Sequence, residues 1–249
     1  MPLSEPGSLY LDLMENCLLG LIYEDPPQDP WSEAGFDRQK RLLGQDWPLK
    51  AHSMIGKARM SNLRGAVEHV LANRIPGDFI ETGVWRGGAC ILMRAALKAH
   101  GVTDRIVWAA DSFEGLPPPD TEKYAADAGD RHHEFDQLAV SLEAVKANFA
   151  AYGLLDDQVR FLKGWFKDTL PGAPIDRLAI LRLDGDMYES TMDGLNALFH
   201  RVSTGGVIIV DDYGAVAACR QAIEDFRGAH DIASPIIPID GIGVYWIKT

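Results

Sequence analysis

From Gly77 onward, short apolar runs alternate with longer stretches of helical spacing. Residues 78–82, 106–110, 159–162, 178–183 and 207–210 read as strands, and residues 88–99, 138–152, 187–202 and 215–229 as helices. Five strand-helix alternations predict an α/β domain whose parallel sheet is covered on both faces. Residues 236–239 and 244–247, around Asp240-Gly241, predict a closing hairpin that makes the last strand antiparallel. Before Gly77 the rhythm differs. Residues 8–22 predict an amphipathic helix with Ser8 as its cap, Pro26, Pro27 and Pro30 interrupt it, and 31–52 has no clear period. Helical spacing resumes over 54–73. The stretch 1–75 is therefore expected to be a helical cap on the domain formed by 76–249, because it is too small to bury itself well. A polar loop from Leu116 to His133 is long enough for a lid.

Composition narrows the partners. Acids outnumber Lys and Arg by 36 to 24 in 249 residues, a formal charge of −12, so nucleic acid and anionic membrane are not expected partners. No apolar run reaches the ~18–20 residues of a membrane span, and the first residues lack a secretory pattern. Cys17, Cys90 and Cys219 are far apart and read as reduced thiols, the pattern of a cytoplasmic protein.

The acids are concentrated at predicted strand ends. The run Leu178 to Leu183 stops at Asp184-Gly-Asp186, and Val207 to Val210 runs into Asp211-Asp212. Two neighbouring strands ending this way gather four carboxylates at one rim, which is unfavourable without a cation among them. A divalent metal site is the expectation. Alternatively, Asp186 with Glu189 forms only a helix-capping box and Asp211-Asp212-Tyr-Gly only a turn. Arg182, inside an apolar strand, needs an ion-pair partner.

Glu81-Thr82-Gly83-Val84-Trp85-Arg86-Gly87-Gly88 follows the first strand and opens a helix. Glycines let a ligand approach the backbone, and free N–H groups of the helix can bind an anion. The spacing is not G-x-G-x-x-G, and Glu81 disfavours a pyrophosphate but suits a ligand carrying an ammonium beside its carboxylate. Asp111, ending the next strand, stands where such folds hold ribose hydroxyls. A ribose with an amino-acid tail points to S-adenosylmethionine. The glycines can also serve strand-helix packing alone, Trp165 suits either an adenine neighbour or the core, and His132 and His133 read as solvated loop residues.

The segments Met54-Ile-Gly56, Ile80 to Ala89, Asp111-Ser-Phe-Glu-Gly-Leu-Pro117, Gly164 to Pro171, Leu183 to Thr191 and Asp211-Asp-Tyr213 together resemble the macrocin O-methyltransferase (TylF-like) family of class I methyltransferases. The resemblance implies a Rossmann-like fold, with a mainly parallel seven-stranded sheet and an antiparallel last strand. It implies methyl transfer from S-adenosylmethionine to a sugar hydroxyl of a glycosylated natural product of macrolide or aminocoumarin type, with Mg²⁺, in a homodimer. It also implies that Met54, Glu81, Thr82, Gly83, Trp85, Gly87, Asp111, Ser112, Trp165 and Asp184 contact the cofactor. Asp184, Asp211 and Asp212 would bind the metal, and Asp186 would be the base. The sequence departs from the general E-x-G-x-G-x-G loop by placing Trp85 at the middle glycine, a departure the family shares.

The chemistry agrees with the residue types. A sugar hydroxyl is far too weak an acid for a carboxylate of ordinary pKa ~4 to deprotonate unaided, and a Lewis acid beside it removes that obstacle. Three aspartates on Mg²⁺ leave positions open for a vicinal diol. A nucleotide-sugar acceptor is the nearest alternative. A glycosyltransferase using Asp184-Gly-Asp186 as a D-x-D motif, or a non-catalytic binding protein on this scaffold, comes from a different class.

Overall fold

The computed structural model describes residues 3–249. Seven strands, β1 (Asp78–Thr82), β2 (Val107–Asp111), β3 (Val159–Lys163), β4 (Leu178–Leu183), β5 (Val202–Val210), β6 (Ile237–Pro238) and β7 (Val244–Ile247), form one sheet in the order β3-β2-β1-β4-β5-β7-β6. The first five are parallel; β7 runs antiparallel to both β5 and β6. This is the expected seven-stranded Rossmann-like methyltransferase sheet. The chain order reverses between β1 and β4, which places a crevice at their carboxyl ends.

Every residue of β4 is buried, as a strand covered on both faces requires. Alternate residues separate the two cores. Phe79, Val107, Ala109, Ile180 and Ile209 face one layer; Ile80, Trp108, Leu181 and Ile208 face the other. The first layer is built from α1 (Glu5–Leu18), α3 (Gly56–Ala72), α4 (Gly88–Ala99) and α5 (Leu142–Ala151), with α1 and α3 packed on α4. The second holds α7 (Tyr188–Leu198) and α8 (Ala217–Ala229), packed on each other. Burying each large apolar side chain contributes roughly 1.5–3 kcal/mol.

Several boundaries differ from the periodicity. The first helix starts at Glu5, and Ser4, not Ser8, caps it by accepting the Gly7 N–H at 3.2 Å. Pro6 in the first turn favours that earlier start. Strand β5 begins at Val202 rather than 207, carried past Gly205 at φ +81°. Helix α5 begins at Leu142, where Ser141 caps it. The short helices α2 (Arg38–Leu43) and α6 (Phe166–Thr169) had no apolar period to reveal them. Helix α2 is held by a polar hub instead. Arg41, fully buried, donates twice to Asp46 at 2.7 Å and to the carbonyls of Leu19 and Asp25 at 2.9 and 2.8 Å.

Candidate active site

Strand β1 ends against the tip of β4. At Gly83, φ is +86°, and a Cβ there would lie 1.8 Å from the Asp184 carbonyl oxygen, so no side chain fits. Trp85 follows at φ +46°, its indole N–H donating to Gln137 O at 2.8 Å. Helix α4 then starts after Gly87 with no side-chain cap. Asp111 at the end of β2 locks this loop: Oδ2 accepts the Val84 N–H at 2.7 Å and Oδ1 the Phe113 N–H at 2.6 Å. Oδ1 also lies 3.4 Å from the Ser112 hydroxyl, which leaves Oδ2 the freer oxygen for a ligand hydroxyl.

The partner that Arg182 required is three partners. Its guanidinium donates to Glu81 and to Asp184, each at 2.5 Å, and to Asp211. Glu81 and Arg182 are register partners on adjacent strands. The cation that meets Glu81 is thus this internal arginine, and Cys90 Sγ adds a bond at 3.0 Å. Asp211 is held a second time, by Arg59 from α3, whose Nε also lies 3.2 Å from Asp240.

Asp184, Asp211 and Asp212 each offer a carboxylate oxygen, all within 4.8 Å of one another. Counting Glu81, Asp186 and Asp240 as well, six carboxylates share two guanidiniums, Arg59 and Arg182, an excess of four negative charges if all ionise. Burial, and then the neighbouring acids, raise the Asp212 carboxyl well above its ordinary value. Burial likewise pushes Asp184 up to about 6 and Asp186 up to about 7, the latter opposed by His132. Crowded oxygens with a deficit of positive charge are the donor set of a hard divalent cation, so the residues fit Mg²⁺. Asp186 is held at φ +59°, and its N–H points to Asp212 Oδ2 at 3.4 Å.

These groups open into one cavity of about 530 Å³. Met54, Glu81, Gly83, Trp85, Asp111, Ser112, Trp165, Asp184, Asp186, Asp211 and Asp212 all line it. Thr82 and Gly87 do not. Thr82 is buried behind the strand end with its hydroxyl 3.5 Å from Arg182 O, and Gly87 faces Val145 and Phe149. The other walls come from Trp31 and Trp47, which stack edge-on with centroids 4.7 Å apart, and from the long loop through Leu116, Pro117, Pro118 and His132.

Periodicity missed three contributors. Arg59 sits on a helix face like any surface arginine until the fold brings it to Asp211. His132 is not a free loop residue: Asp130 accepts from its Nδ1 at 2.7 Å and from its backbone N–H at 3.0 Å. Asp186 does not cap α7. The N-cap position is Met187, without a side-chain bond, and the cap comes from Asp127.

The Macrocin-O-methyltransferase (TylF) family model matches residues 7–248. The 8-demethyl-8-(2,3-dimethoxy-alpha-L-rhamnosyl)-tetracenomycin-C 4'-O-methyltransferase of Streptomyces olivaceus is 58% identical over 243 residues, covering 97% of this chain and 93% of that protein. The demethyldecarbamoylnovobiocin O-methyltransferase of Streptomyces niveus is 54% identical over 250 residues, 98% of this chain and 94% of that one. The solved structure of the O-methyltransferase NovP superposes with a TM-score of 0.94 at 54% identity, covering 98% of this chain and 99% of that chain. These matches set aside the glycosyltransferase reading of Asp184-Gly-Asp186. The chain belongs to the macrocin O-methyltransferase (TylF) family and is an S-adenosylmethionine-dependent O-methyltransferase.

Proposed function

We propose that the chain methylates a sugar hydroxyl of a glycosylated natural product, with Mg²⁺ at Asp184, Asp211 and Asp212 and with Asp186 as general base. One observation carries this reading: the three metal-type carboxylates and Asp186 share a single cavity with the glycine loop, Asp111 and Trp165. The Streptomyces olivaceus relative is named for a rhamnosyl-tetracenomycin acceptor, which supports a glycoside as the substrate class.

S-adenosylmethionine supplies the electrophilic methyl group, and Mg²⁺ in the aspartate cluster supplies a Lewis acid beside the acceptor hydroxyl. The chain's own residues do the rest. Met54, Glu81, Gly83, Trp85, Asp111, Ser112, Trp165 and Asp184 line the cofactor's share of the cavity, while Thr82 and Gly87 support that wall from behind. The uncapped start of α4 offers N–H groups for a carboxylate tail. Arg182 and Arg59 keep Asp184 and Asp211 oriented. The Asp186 carboxylate accepts the proton of the acceptor hydroxyl as the oxygen–methyl bond forms. Loop residues Leu116, Pro117 and Pro118 close over the site and exclude water, which favours in-line geometry at near-attack distance.

In this reading 1–75 belongs to the same domain as 76–249, supported over the described residues by α1 and α3 packing on α4; residues 1 and 2 lie outside them. A cytoplasmic homodimer is part of the same reading. Leu9 and Leu13, one turn apart on α1 and 63% and 54% exposed, support the dimer, and light scattering on the purified chain tests it. No helix among the described residues is long and apolar enough to cross a membrane. The activity is tested with methyl-labelled S-adenosylmethionine against macrolide, aminocoumarin, tetracenomycin and nucleotide-sugar acceptors. Mass-spectrometric detection of a methylated sugar supports the proposal. Label transfer only to a non-sugar group, or undiminished transfer in excess chelator, overturns it.

A further inference from the structure

Helix α7 begins two residues after Asp186, and its own N-terminus provides no capping side chain. The missing acceptor comes from the long loop between β2 and α5. Asp127, 1% exposed, sits in a 3₁₀ turn, Ala125–Asp127. Its Oδ1 accepts the Tyr188 N–H at 2.6 Å and its Oδ2 the Glu189 N–H at 3.1 Å. A carboxylate at this position satisfies two orphan donors and meets the positive end of the helix dipole.

The segment it grips is the one that carries Asp186. That residue holds φ +59°, a conformation that non-glycine residues keep only when their surroundings over-determine it. Its own N–H bond, to Asp212 at 3.4 Å, is long. The firm restraints lie on either side: Ser190 Oγ donates to the Gly185 carbonyl, and Asp127 binds the two amides that follow Met187. The same loop brings His132, fixed by Asp130, into the cavity, and stacks Tyr124 on Tyr188 with ring centroids 5.8 Å apart. Docking the loop and fixing the turn after β4 are therefore one event.

We propose that Asp127 is a positioning residue for methyl transfer: by capping α7 from the loop, it holds the turn 184–187 so that the Asp186 carboxylate faces the acceptor hydroxyl. The proposal rests on Asp186 being the base. It also gives the loop a second task besides excluding water, because the base is in place only while the loop is docked. An acceptor can then enter past an undocked loop without meeting an assembled site.

The test uses the full chain with S-adenosylmethionine, Mg²⁺ and a rhamnosyl-tetracenomycin glycoside, the acceptor class of the 58%-identical relative. Asp127→Ala is expected to lower kcat by about 10- to 100-fold, the scale of a misplaced catalytic group, with the KM for S-adenosylmethionine within about twofold. Asp127→Asn keeps one acceptor oxygen and should lose less. In an Asp186→Asn background, Asp127→Ala should cost nothing further, because there is no base left to position. Equal losses in both backgrounds, or parental kcat in Asp127→Ala, would overturn the positioning role. Parental turnover in Asp186→Asn alone would instead remove the base assignment, and the proposal with it.

A measurement that needs no turnover covers a poor acceptor or an unstable alanine variant. In Asp127→Asn, amide exchange over 186–190 should speed up at least tenfold while α8 keeps its protection. Unchanged exchange there would overturn the proposal, and equal acceleration throughout the chain would show a general loss of stability, which overturns it too.

Discussion

Arg182 on β4 and Glu81 on β1 face each other across the parallel ladder at 2.5 Å, both almost completely buried. Through this pair the strand that opens the glycine loop is tied to the strand that ends in the acid cluster. The same guanidinium continues to Asp184 and Asp211, so one buried cation serves three carboxylates.

Removing that cation leaves three acids facing each other out of water. Arg182→Met is expected to destabilise the protein by about 3–5 kcal/mol, the cost of breaking a buried ion pair from one side. At ~2–4 °C per kcal/mol for a domain of this size, calorimetry should show a melting point lower by at least about 6 °C. A shift below about 2 °C would contradict the role assigned to the arginine.

The aspartate cluster predicts metal dependence with a separable cofactor. Chelation, or Asp212→Ala, should abolish methyl transfer while S-adenosylhomocysteine still binds in isothermal titration. In the same instrument, Mg²⁺ should give a saturable heat with the parent protein and none with Asp212→Ala. Equal heats with both proteins would place the metal elsewhere.

For Asp186, replacement by Asn keeps the shape and removes the proton acceptor. A general base contributes roughly 10²–10⁴-fold, so kcat should fall by that range with cofactor affinity unchanged. A fall in affinity equal to the fall in rate would point to a binding role instead.

Loop docking should depend on pH through the Asp130–His132 pair. The bond to Asp130 raises the imidazole of His132 above its ordinary 6.5, with Asp186 adding to the effect. Despite an opposing contribution from burial, the bonds from His132, with His133 nearby, lower the Asp130 carboxyl below its ordinary 3.8. The imidazolium's contribution is complete below pH 6.5 and fades as pH rises through the raised value. The carboxylate's contribution is complete above 3.8 and fades as pH falls through the lowered one. Limited proteolysis within 112–141 should therefore be slowest between these limits and faster at mildly alkaline pH. The rise on the alkaline side should vanish in His132→Gln.

Gly83 is a backbone requirement as well as part of the cavity wall. Gly83→Ala adds a Cβ at φ +86° and 1.8 Å from the Asp184 carbonyl. The left-handed conformation alone costs a residue with a side chain roughly 1–2 kcal/mol, and the contact must force β1 and β4 apart. The variant should melt lower and lose S-adenosylhomocysteine affinity together; normal affinity at normal stability would refute this account.

Much of the molecule was legible from residue order alone, for a local reason. Leu178 to Leu183 is apolar throughout because β4 is covered on both faces, and the acids after it fall where such a sheet keeps its ligands. Strand number, the closing hairpin and the gathering of Asp184, Asp211 and Asp212 all follow from patterns spanning a few residues. What periodicity could not reveal depends on distant partners. Arg41 organises α2 through carbonyls and an acid that no apolar spacing announces. Asp111 spends both oxygens on loop amides, and Thr82 and Gly87 stand behind the cavity wall. The cap of α7 comes from Asp127, 61 residues before Tyr188, although Asp186 looked like the local candidate. A helix N-terminus asks only for an acceptor of the right geometry, and only the folded chain decides which acceptor arrives.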